Sequence, residues 1–175
     1  DFDKCIKCGR CVAACNNLVV NEVLGFGYRG KVTEIMCDDD VAMGLSSCVQ
    51  CGECVQICPT GALTDKKSRG KGRDALFEKV DTTCPYCGTG CQLTLHVDKA
   101  KNKVVRVTGR DEWPNKGMLC VKGRYGFEFH ASPKRLQYPL IKKNGKHERA
   151  SWEEALDLIV DKIKTTVGKY GPDVF

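Results

Sequence analysis

The sequence predicts an α+β fold, with cysteine-rich loops at its start, a pair of strands in its middle and a helix towards its end. Three observations lead to this prediction. A motif of four cysteines occurs twice within residues 1–60. Apolar and polar residues alternate at 92–97 and 103–109, which is typical of half-buried strands. Apolar residues recur at helical spacing after residue 151.

Thirteen cysteines in a chain of 175 residues restrict the kind of site that is possible. Disulfide frameworks, zinc ribbons and iron–sulfur clusters all use many cysteines. Disulfides are disfavoured because the cysteines form local groups, their number is odd and no signal peptide is visible. The formal net charge is +6, which favours anionic partners. Because no nucleic-acid motif is present, cofactor phosphates or negative clusters are expected rather than nucleic acid.

The repeated cysteine motif is the strongest signal in the sequence. CIKCGRCVAAC begins at Cys5 and CVQCGECVQIC begins at Cys48, and both read C-x-x-C-G-x-C-V-x-x-C. Three closely spaced thiolates suit one face of an iron–sulfur cubane, whereas zinc ribbons use separated C-x-x-C pairs. In bacterial two-cluster ferredoxins the fourth cysteine of each motif binds the other cluster. The motifs therefore predict two [4Fe–4S] clusters, one held by Cys5, Cys8, Cys11 and Cys58 and the other by Cys48, Cys51, Cys54 and Cys15.

The segments next to the two motifs predict local structure. Residues around 25–30 are expected to form a hairpin, followed by a short acidic loop or the start of a helix. Cys37 lies there outside both quartets, and we expect it to be a small buried hydrophobic residue. The PTGAL turn after Cys58 predicts the start of a strand. Residues 66–80 are charged and contain glycines, so they are predicted to be a linker that ends in a short helix.

A third group of cysteines has a different spacing. TTCPYCGTGC supplies Cys84, Cys87 and Cys91, and NKGMLCVKGR supplies Cys120. Between them lie the alternating segments QLTLHV and KVVRVTG, and a hairpin formed by these segments would return Cys120 to the Cys84 loop. The sequence therefore predicts a third [4Fe–4S] site. His96 lies on the first of these strands and is expected to be partly exposed and not a ligand, since the quartet is complete without it.

The last predicted element is a helix. Ser151 and Glu154 form the pattern of a capping box, and apolar residues follow at helical spacing to about residue 168. GPDVF at 171–175 is predicted to turn into a buried strand that begins an α/β unit. No apolar run approaches 18 residues, so no membrane span is expected.

Four segments resemble the start of the molybdopterin oxidoreductases, namely CPYCGTGC, WPNKGMLCVKGR, SPKRLQYPLI and SWEEALDLI. Within that group the chain is most similar to the catalytic subunit of formate dehydrogenases that carry an N-terminal two-cluster ferredoxin domain. The resemblance runs from Cys5 to the end of the chain. It implies a ferredoxin-like domain at 1–65, a linker at 66–80, the [4Fe–4S] domain of a molybdopterin oxidoreductase at 81–137 and the truncated start of a molybdopterin-binding α/β domain at 138–175.

The resemblance also implies cofactors, an activity and partners. The third cluster would lie near a bis(molybdopterin guanine dinucleotide) centre with molybdenum or tungsten, bound mostly by residues beyond Phe175. Lys122 matches the family lysine between cluster and pterin, and its implied role is an electron relay. The implied reaction converts formate to CO2, or the reverse, with the metal-binding cysteine or selenocysteine also beyond Phe175. Electrons would pass to an iron–sulfur, flavin, NAD(P) or hydrogenase subunit of a cytoplasmic redox complex.

Two other functions fit the same residues. The large iron–sulfur subunit of an NADH:quinone oxidoreductase or of a hydrogenase complex has a similar domain order and often lacks molybdenum. A stand-alone polyferredoxin carrier would also use the cysteine quartets. CPYCGTGC and Lys122 favour formate dehydrogenase over the first alternative, and the helix and strand expected after residue 151 disfavour the second.

Overall fold

The chain divides into two compact units, Asp1–Ala131 and Ser132–Phe175. The computed structural model describes residues 1–174. Within these residues the first unit contains three short helices and five strands, and the second contains a hairpin and the longest helix. This mixture of helices and antiparallel sheets agrees with the predicted α+β class.

Residues 1–65 form two short helices and one hairpin. The helices are α1 (Arg10–Ala13), which continues as a π-helical turn (Ala14–Leu18), and α2 (Glu53–Ile57). The strands are β1 (Leu24–Gly27) and β2 (Glu34–Cys37), which pair antiparallel. The predicted hairpin is therefore confirmed. Cys37 ends β2 and is 8% exposed beside Val23 and Leu24, so its predicted burial is also confirmed.

The glycine shared by the two cysteine motifs has a conformational role. Gly9 precedes α1 with φ of 72°, and Gly52 precedes α2 with φ of 75°. Glycine adopts this left-handed conformation without strain because it has no Cβ. Each glycine thereby turns the chain from a cysteine loop directly into a short helix.

The strand expected after PTGAL does not form. Residues 59–63 make a turn and a bend, and residues 64 and 65 have no regular structure. The backbone N–H groups of Thr60, Ala62 and Leu63 are directed at the thiol of Cys58 instead of at a neighbouring strand. The prediction was wrong because this turn is organised around a sulfur atom.

The second part of the first unit is a three-stranded antiparallel sheet in the order β3-β4-β5. Its strands are β3 (Glu78–Thr83), β4 (Gln92–Asp98) and β5 (Lys103–Gly109), and the helix α3 (Val121–Tyr125) follows. The predicted β4–β5 hairpin is confirmed by the pairing of Leu95 with Val107. One face of the sheet contributes to a buried apolar cluster that contains Cys84, Leu93, Val107, Leu119 and Phe127.

β3 begins inside the segment that was predicted to be a linker. All six of its residues are exposed and most are polar, so the strand has no apolar alternation that the sequence could show. It forms because its backbone pairs with β4 over six residue pairs. The short helix expected in the linker is a 3₁₀ turn, Asp74–Leu76.

His96 is buried, and the expectation of partial exposure was wrong. The residue is 3% exposed, with Nδ1 2.9 Å from Asp74 Oδ1 and Nε2 2.9 Å from Thr108 Oγ1. The 3₁₀ turn before β3 places Asp74 beside the ring. The buried imidazole therefore replaces its hydrogen bonds to water with hydrogen bonds to polar side chains. None of these partners makes His96 part of a cysteine quartet.

The second unit contains β6 (Leu140–Lys143), β7 (Lys146–Arg149) and α4 (Trp152–Tyr170). The two strands pair antiparallel, and the backbone N–H of Ala150 donates to the carbonyl of Pro139. The predicted capping box is confirmed, because Ser151 accepts from the backbone N–H of Glu154 and Glu154 accepts from that of Ser151. None of the helices in residues 1–174 combines the length and apolarity that crossing a membrane requires.

The strand predicted for GPDVF does not form within the described residues. Pro172–Val174 is a 3₁₀ turn, and Phe175 lies outside the described residues. The fixed φ of Pro172 suits a helical turn. A strand also needs a hydrogen-bonding neighbour, and the strands described in this unit, β6 and β7, pair with each other.

Candidate iron–sulfur sites

One cavity lies at the centre of the first predicted quartet. Its volume is about 400 Å³, and Cys5, Cys8, Cys11 and Cys58 all line it. Cys5 and Cys8 belong to the loop before Gly9, Cys11 is in α1, and Cys58 follows α2. The structure therefore brings together three cysteines of the first motif with the fourth of the second. Four thiols are the donor set of a [4Fe–4S] cluster. Cys37, at the end of β2, lines the same cavity as a fifth cysteine.

The turn that follows Cys58 lowers the pKa of its thiol. Burial acts to raise the pKa of its thiol, but the backbone N–H groups of Leu63, Thr60 and Ala62 and the hydroxyl of Thr60 lower the pKa to about 7. The thiolate is the form of cysteine that binds metals. The PTGAL turn thus stabilises the charged form of this side chain.

A second cavity of about 640 Å³ lies at the centre of the other quartet. Cys15, Cys48, Cys51 and Cys54 line it. Burial raises the pKa of Cys54 to about 12, and the neighbouring charges of Cys51, Cys48, Cys11 and Cys15 raise it further. Thiols packed this closely resist ionisation until positive iron lies between them. The residues present therefore fit a bound cluster.

α1 and its continuation supply one cysteine to each of the two cavities. Cys11 lines the first cavity, and Cys15, one helical turn later, lines the second. Cys54 and Cys58 have the same spacing in the second motif and also line different cavities. A short helix with cysteines four residues apart can therefore serve two neighbouring sites.

The third predicted quartet surrounds the start of α3. Cys120 is the N-cap of α3, and the backbone N–H of Cys84 donates to the carbonyl of Cys91 at 2.8 Å. Burial raises the pKa of Cys91, and charges on Cys84, Cys87 and Cys120 raise it further, so these three thiols lie near that of Cys91. The β4–β5 hairpin returns the chain to this loop as the sequence predicted.

Lys122 lies in the first turn of α3 and is exposed. Hydrogen bonds from Thr89 lower the pKa of Cys87, and the positive charge of Lys122 contributes to the same effect. The ammonium group therefore lies within electrostatic reach of the third quartet. Its predicted contact with a pterin involves a group outside this structure and stays a prediction.

The thirteen cysteines all fall within the described residues, and all are free thiols. In residues 1–174 no group of three or more His, Cys, Asp or Glu is close enough to hold a single metal ion. The cysteines of the first two quartets are spread around cavities, as the larger size of a cluster requires.

Sequence reasoning missed a buried contact beside the second quartet. Arg124 of α3 is 4% exposed and donates from Nη2 to Glu53 Oε2 at 2.9 Å. Its Nε donates to the carbonyl of Cys51 at 2.6 Å. The available signal was weak: Glu53 is an acidic residue within a cysteine motif, and such a residue is ordinarily exposed.

Three protein families match the chain along most of its length. A 4Fe-4S dicluster domain matches residues 4–62, the molybdopterin oxidoreductase Fe4S4 domain matches 77–132, and the molybdopterin oxidoreductase family matches 135–175. These matches show a ferredoxin-like iron–sulfur domain followed by the Fe4S4 domain of the molybdopterin oxidoreductases. The predicted succession of a ferredoxin-like domain and a molybdopterin oxidoreductase Fe4S4 domain is confirmed.

Individual relatives have several different names. An NADH-quinone oxidoreductase subunit of Rhizobium meliloti is 39% identical over 97% of this chain and 19% of its own length. A "Putative formate dehydrogenase" of Staphylococcus aureus is 32% identical over 99% of the chain and 21% of its own length. The alpha subunit of an NADPH-Fe(3+) oxidoreductase of Geobacter sulfurreducens is 35% identical over 99% and 19%. The chain therefore spans about a fifth of the length of these relatives.

Proposed function

We propose that this chain conducts electrons through three [4Fe–4S] clusters in a molybdenum- or tungsten-dependent formate dehydrogenase. The observation that carries the proposal is the convergence of cysteines from different motifs. Each of two cavities is lined by one complete predicted quartet, and a third quartet surrounds the start of α3. The Fe4S4 domain match covers the third quartet and Lys122.

The proposed ligands follow from the same convergence. The first cluster is assigned to Cys5, Cys8, Cys11 and Cys58, the second to Cys48, Cys51, Cys54 and Cys15, and the third to Cys84, Cys87, Cys91 and Cys120. Cys37 also lines the first cavity, but it is left outside because it belongs to neither cysteine motif; it ends β2 and packs with Val23 and Leu24.

The order of the clusters follows from the elements between them. Cys120 begins α3, and two other residues of this helix, Val121 and Tyr125, line the second cavity. The charge of Cys11, a first-quartet residue, affects Cys54 of the second quartet. We therefore infer that electrons move between the third and second clusters and between the second and first. The first cluster would then exchange electrons with a partner subunit.

A bound molybdopterin centre would supply the two-electron interconversion of formate and CO2. The contribution of this chain is to hold a cation and a cluster beside it. Lys122 is exposed, and its charge affects Cys87, so its ammonium is available to donate hydrogen bonds on the side of the third quartet. A positive charge at this point would favour arrival of an electron at the cluster.

The ligand assignment is tested by replacing Cys120 with alanine in the intact protein. We expect the variant to lose one [4Fe–4S] cluster, that is about four iron atoms and four acid-labile sulfides per protein, and to keep the other two. Cys37→Ala is the matched control, and its iron content should equal that of the unmodified protein. Unchanged iron in Cys120→Ala would reject the third quartet.

A second function is favoured by one comparison. The relative named as an NADH-quinone oxidoreductase subunit is 39% identical over 97% of this chain. Metal analysis separates the two functions, because a formate dehydrogenase should contain molybdenum or tungsten and its clusters should be reduced by formate. Absence of both metals, together with cluster reduction by NADH alone, would favour the second function.

A further inference from the structure

The two copies of the cysteine motif differ at the positions that contact Arg124. When the copies are aligned, Arg10 corresponds to Glu53 and Ala13 corresponds to Gln56. Arg10 is exposed, whereas Glu53 is 7% exposed and paired with Arg124. The second copy therefore has two side chains, Glu53 and Gln56, that accept hydrogen bonds from the buried guanidinium of Arg124. The first copy has no such acceptor at either position.

Arg124 donates from each of its three guanidinium nitrogens to the second motif. Nε donates to the carbonyl of Cys51 at 2.6 Å, Nη1 donates to Gln56 Oε1 at 2.5 Å, and Nη2 donates to Glu53 Oε2 at 2.9 Å. A buried arginine that is bonded through all three nitrogens holds its partners in one geometry. The ligand loop around Cys51 is thereby fixed to α3.

Gln56 extends this contact to the end of β5. Its Nε2 donates to the carbonyls of Gly109 and Gly117 at 3.3 and 3.2 Å, and its Oε1 accepts from the backbone N–H of Gly109 at 2.9 Å. The second motif is thus attached to the Fe4S4 domain through side-chain and backbone hydrogen bonds. Each of these groups lies more than fifty residues from its partner along the chain.

The motif glycines show that the two predicted clusters have different neighbours. A Cβ on Gly52 would lie 2.2 Å from both Arg124 Cδ and Tyr125 Oη. A Cβ on Gly9, the equivalent glycine of the first motif, would lie 3.2 Å from the ring of Phe26. An apolar ring therefore covers the first motif at the point where a cation and a phenol cover the second.

A cation at this point has an electrostatic consequence. Reduction adds one negative charge to a cluster, and a nearby positive charge stabilises the reduced state, most strongly where water is excluded. Net charge and hydrogen bonding around a cluster are recognised determinants of its potential. Glu53 compensates part of this charge, so each partner of the pair should act on the potential with opposite sign.

On the cluster assignment proposed above, we propose that Arg124 is a positioning residue for the second cluster. It fixes the Cys51 ligand loop against α3, the helix that begins at Cys120. Its positive charge raises the reduction potential of the second cluster, in addition to the charges of Lys66 and Lys67, which line the second cavity. The first cavity is lined by the exposed Arg10 in place of a buried, paired arginine. The change of Arg10 to Glu53 and of Ala13 to Gln56 between the copies provides the acceptors that hold Arg124.

The test is a redox titration of the intact protein, followed by electron paramagnetic resonance. The signal of the second cluster is identified by its loss in Cys51→Ala. Arg124→Gln should lower the potential of this cluster, and Glu53→Gln should raise it because the cation loses its counter-charge. We expect about a tenfold change in the ratio of reduced to oxidised cluster at fixed poise, which is about 59 mV for one electron.

Arg10→Gln is the control because Arg10 occupies the position of Glu53 in the first motif and is exposed. It should leave the potential of the second cluster unchanged. Shifts of the same sign in Arg124→Gln and Glu53→Gln, or no shift with full iron content, would overturn the proposal. If Arg124→Gln loses the second cluster, the test depends on Glu53→Gln alone. The amide oxygen of this variant can still accept a hydrogen bond from Arg124, so the cluster should be kept. An unchanged potential of the second cluster in Glu53→Gln would then reject the electrostatic role of Arg124.

The same measurement separates this proposal from the proposed function. If Cys51→Ala removes no paramagnetic resonance signal from the spectrum of the unmodified protein, the cluster assignment itself is rejected. Three normal signals with no opposite shifts would reject only the role of Arg124.

Discussion

At the scale of single residues, the pair His96 and Asp74 shows how burial selects a protonation state. Asp74 can only accept, so Nδ1 of His96 carries the proton and Nε2 accepts from the hydroxyl of Thr108. Burial lowers the pKa of His96, and the charge of Arg106 lowers it further. Burial would raise the pKa of Asp74, but Lys79, Arg106 and His96 outweigh it and lower that pKa.

This pair gives a pH-dependent stability. Because the folded protein lowers the pKa of His96 from its ordinary value of 6.5, the stabilisation is complete above about pH 6.5 and is lost as the pH falls towards the folded pKa. The contribution of Asp74 persists in this range and is lost only below about pH 4, since its pKa is also lowered.

We therefore expect the urea midpoint of the unmodified protein to fall between pH 7 and pH 5. His96→Gln should cost about 1–3 kcal/mol at pH 7, because buried partners lose a hydrogen bond. It should also flatten the pH dependence in this range. His147→Gln, at an exposed position of β7, should keep the full dependence. Parallel curves for the unmodified protein and His96→Gln would contradict the assignment.

At the scale of elements, the short helices depend on the glycines that precede them. α1 has four residues and α2 has five, which is too short for either to be stable alone in water. Each begins where a left-handed glycine ends a cysteine loop. The contacts of the missing Cβ differ among the glycines, so alanine substitutions should have graded effects.

Gly52→Ala should be the most damaging, because its φ is 75° and its Cβ would lie 2.2 Å from Arg124 and Tyr125. Overpacking of this kind costs about 1–3 kcal/mol, in addition to the left-handed backbone penalty of about 1–2 kcal/mol. Gly9→Ala should be milder, since the nearest contact is 3.2 Å. Gly25→Ala is the control because nothing lies within 4 Å of its Cβ position and it lines neither cluster cavity.

The measurement is cluster iron per protein and thermal stability for the three variants. We expect Gly52→Ala to lose cluster iron first and Gly25→Ala to match the unmodified protein. Equal losses in all three would mean that glycine flexibility, and not the contacts described here, controls assembly.

At the scale of the whole molecule, the two halves of the first unit have different kinds of core. The buried cluster in residues 1–65 contains Cys11 and Cys37 with Val23 and Leu24, and other cysteines pack against it. The core of the sheet contains Leu93, Val107, Leu119 and Phe127 with one cysteine. Metal binding and folding are coupled where ligands make up much of a core.

Removal of iron with a chelator should therefore loosen residues 1–65 more than the β4–β5 hairpin. Hydrogen–deuterium exchange with peptide resolution measures this difference. We expect exchange in 1–65 to rise strongly, while residues 92–109 stay protected by their apolar contacts. An equal increase in both regions would show that the clusters support the whole unit.

The sequence by itself determined the features that depend on neighbouring residues. The spacing of cysteines indicated the quartets, alternation indicated β4 and β5, and Ser151 with Glu154 indicated the capped helix α4. Each of these signals is contained in a few consecutive residues, because thiolate spacing, strand pleat and helix capping are local geometry.

Only the tertiary structure decided the features that depend on distant partners. The exposed strand β3 forms because β4 is beside it, and His96 is buried because Asp74 covers it. Arg124 meets Glu53 across 71 residues of chain. No local sequence pattern indicates such contacts. The free-energy cost of burying a charged side chain, or of ordering an exposed strand, is offset only by groups that are distant in the sequence and become neighbours on folding.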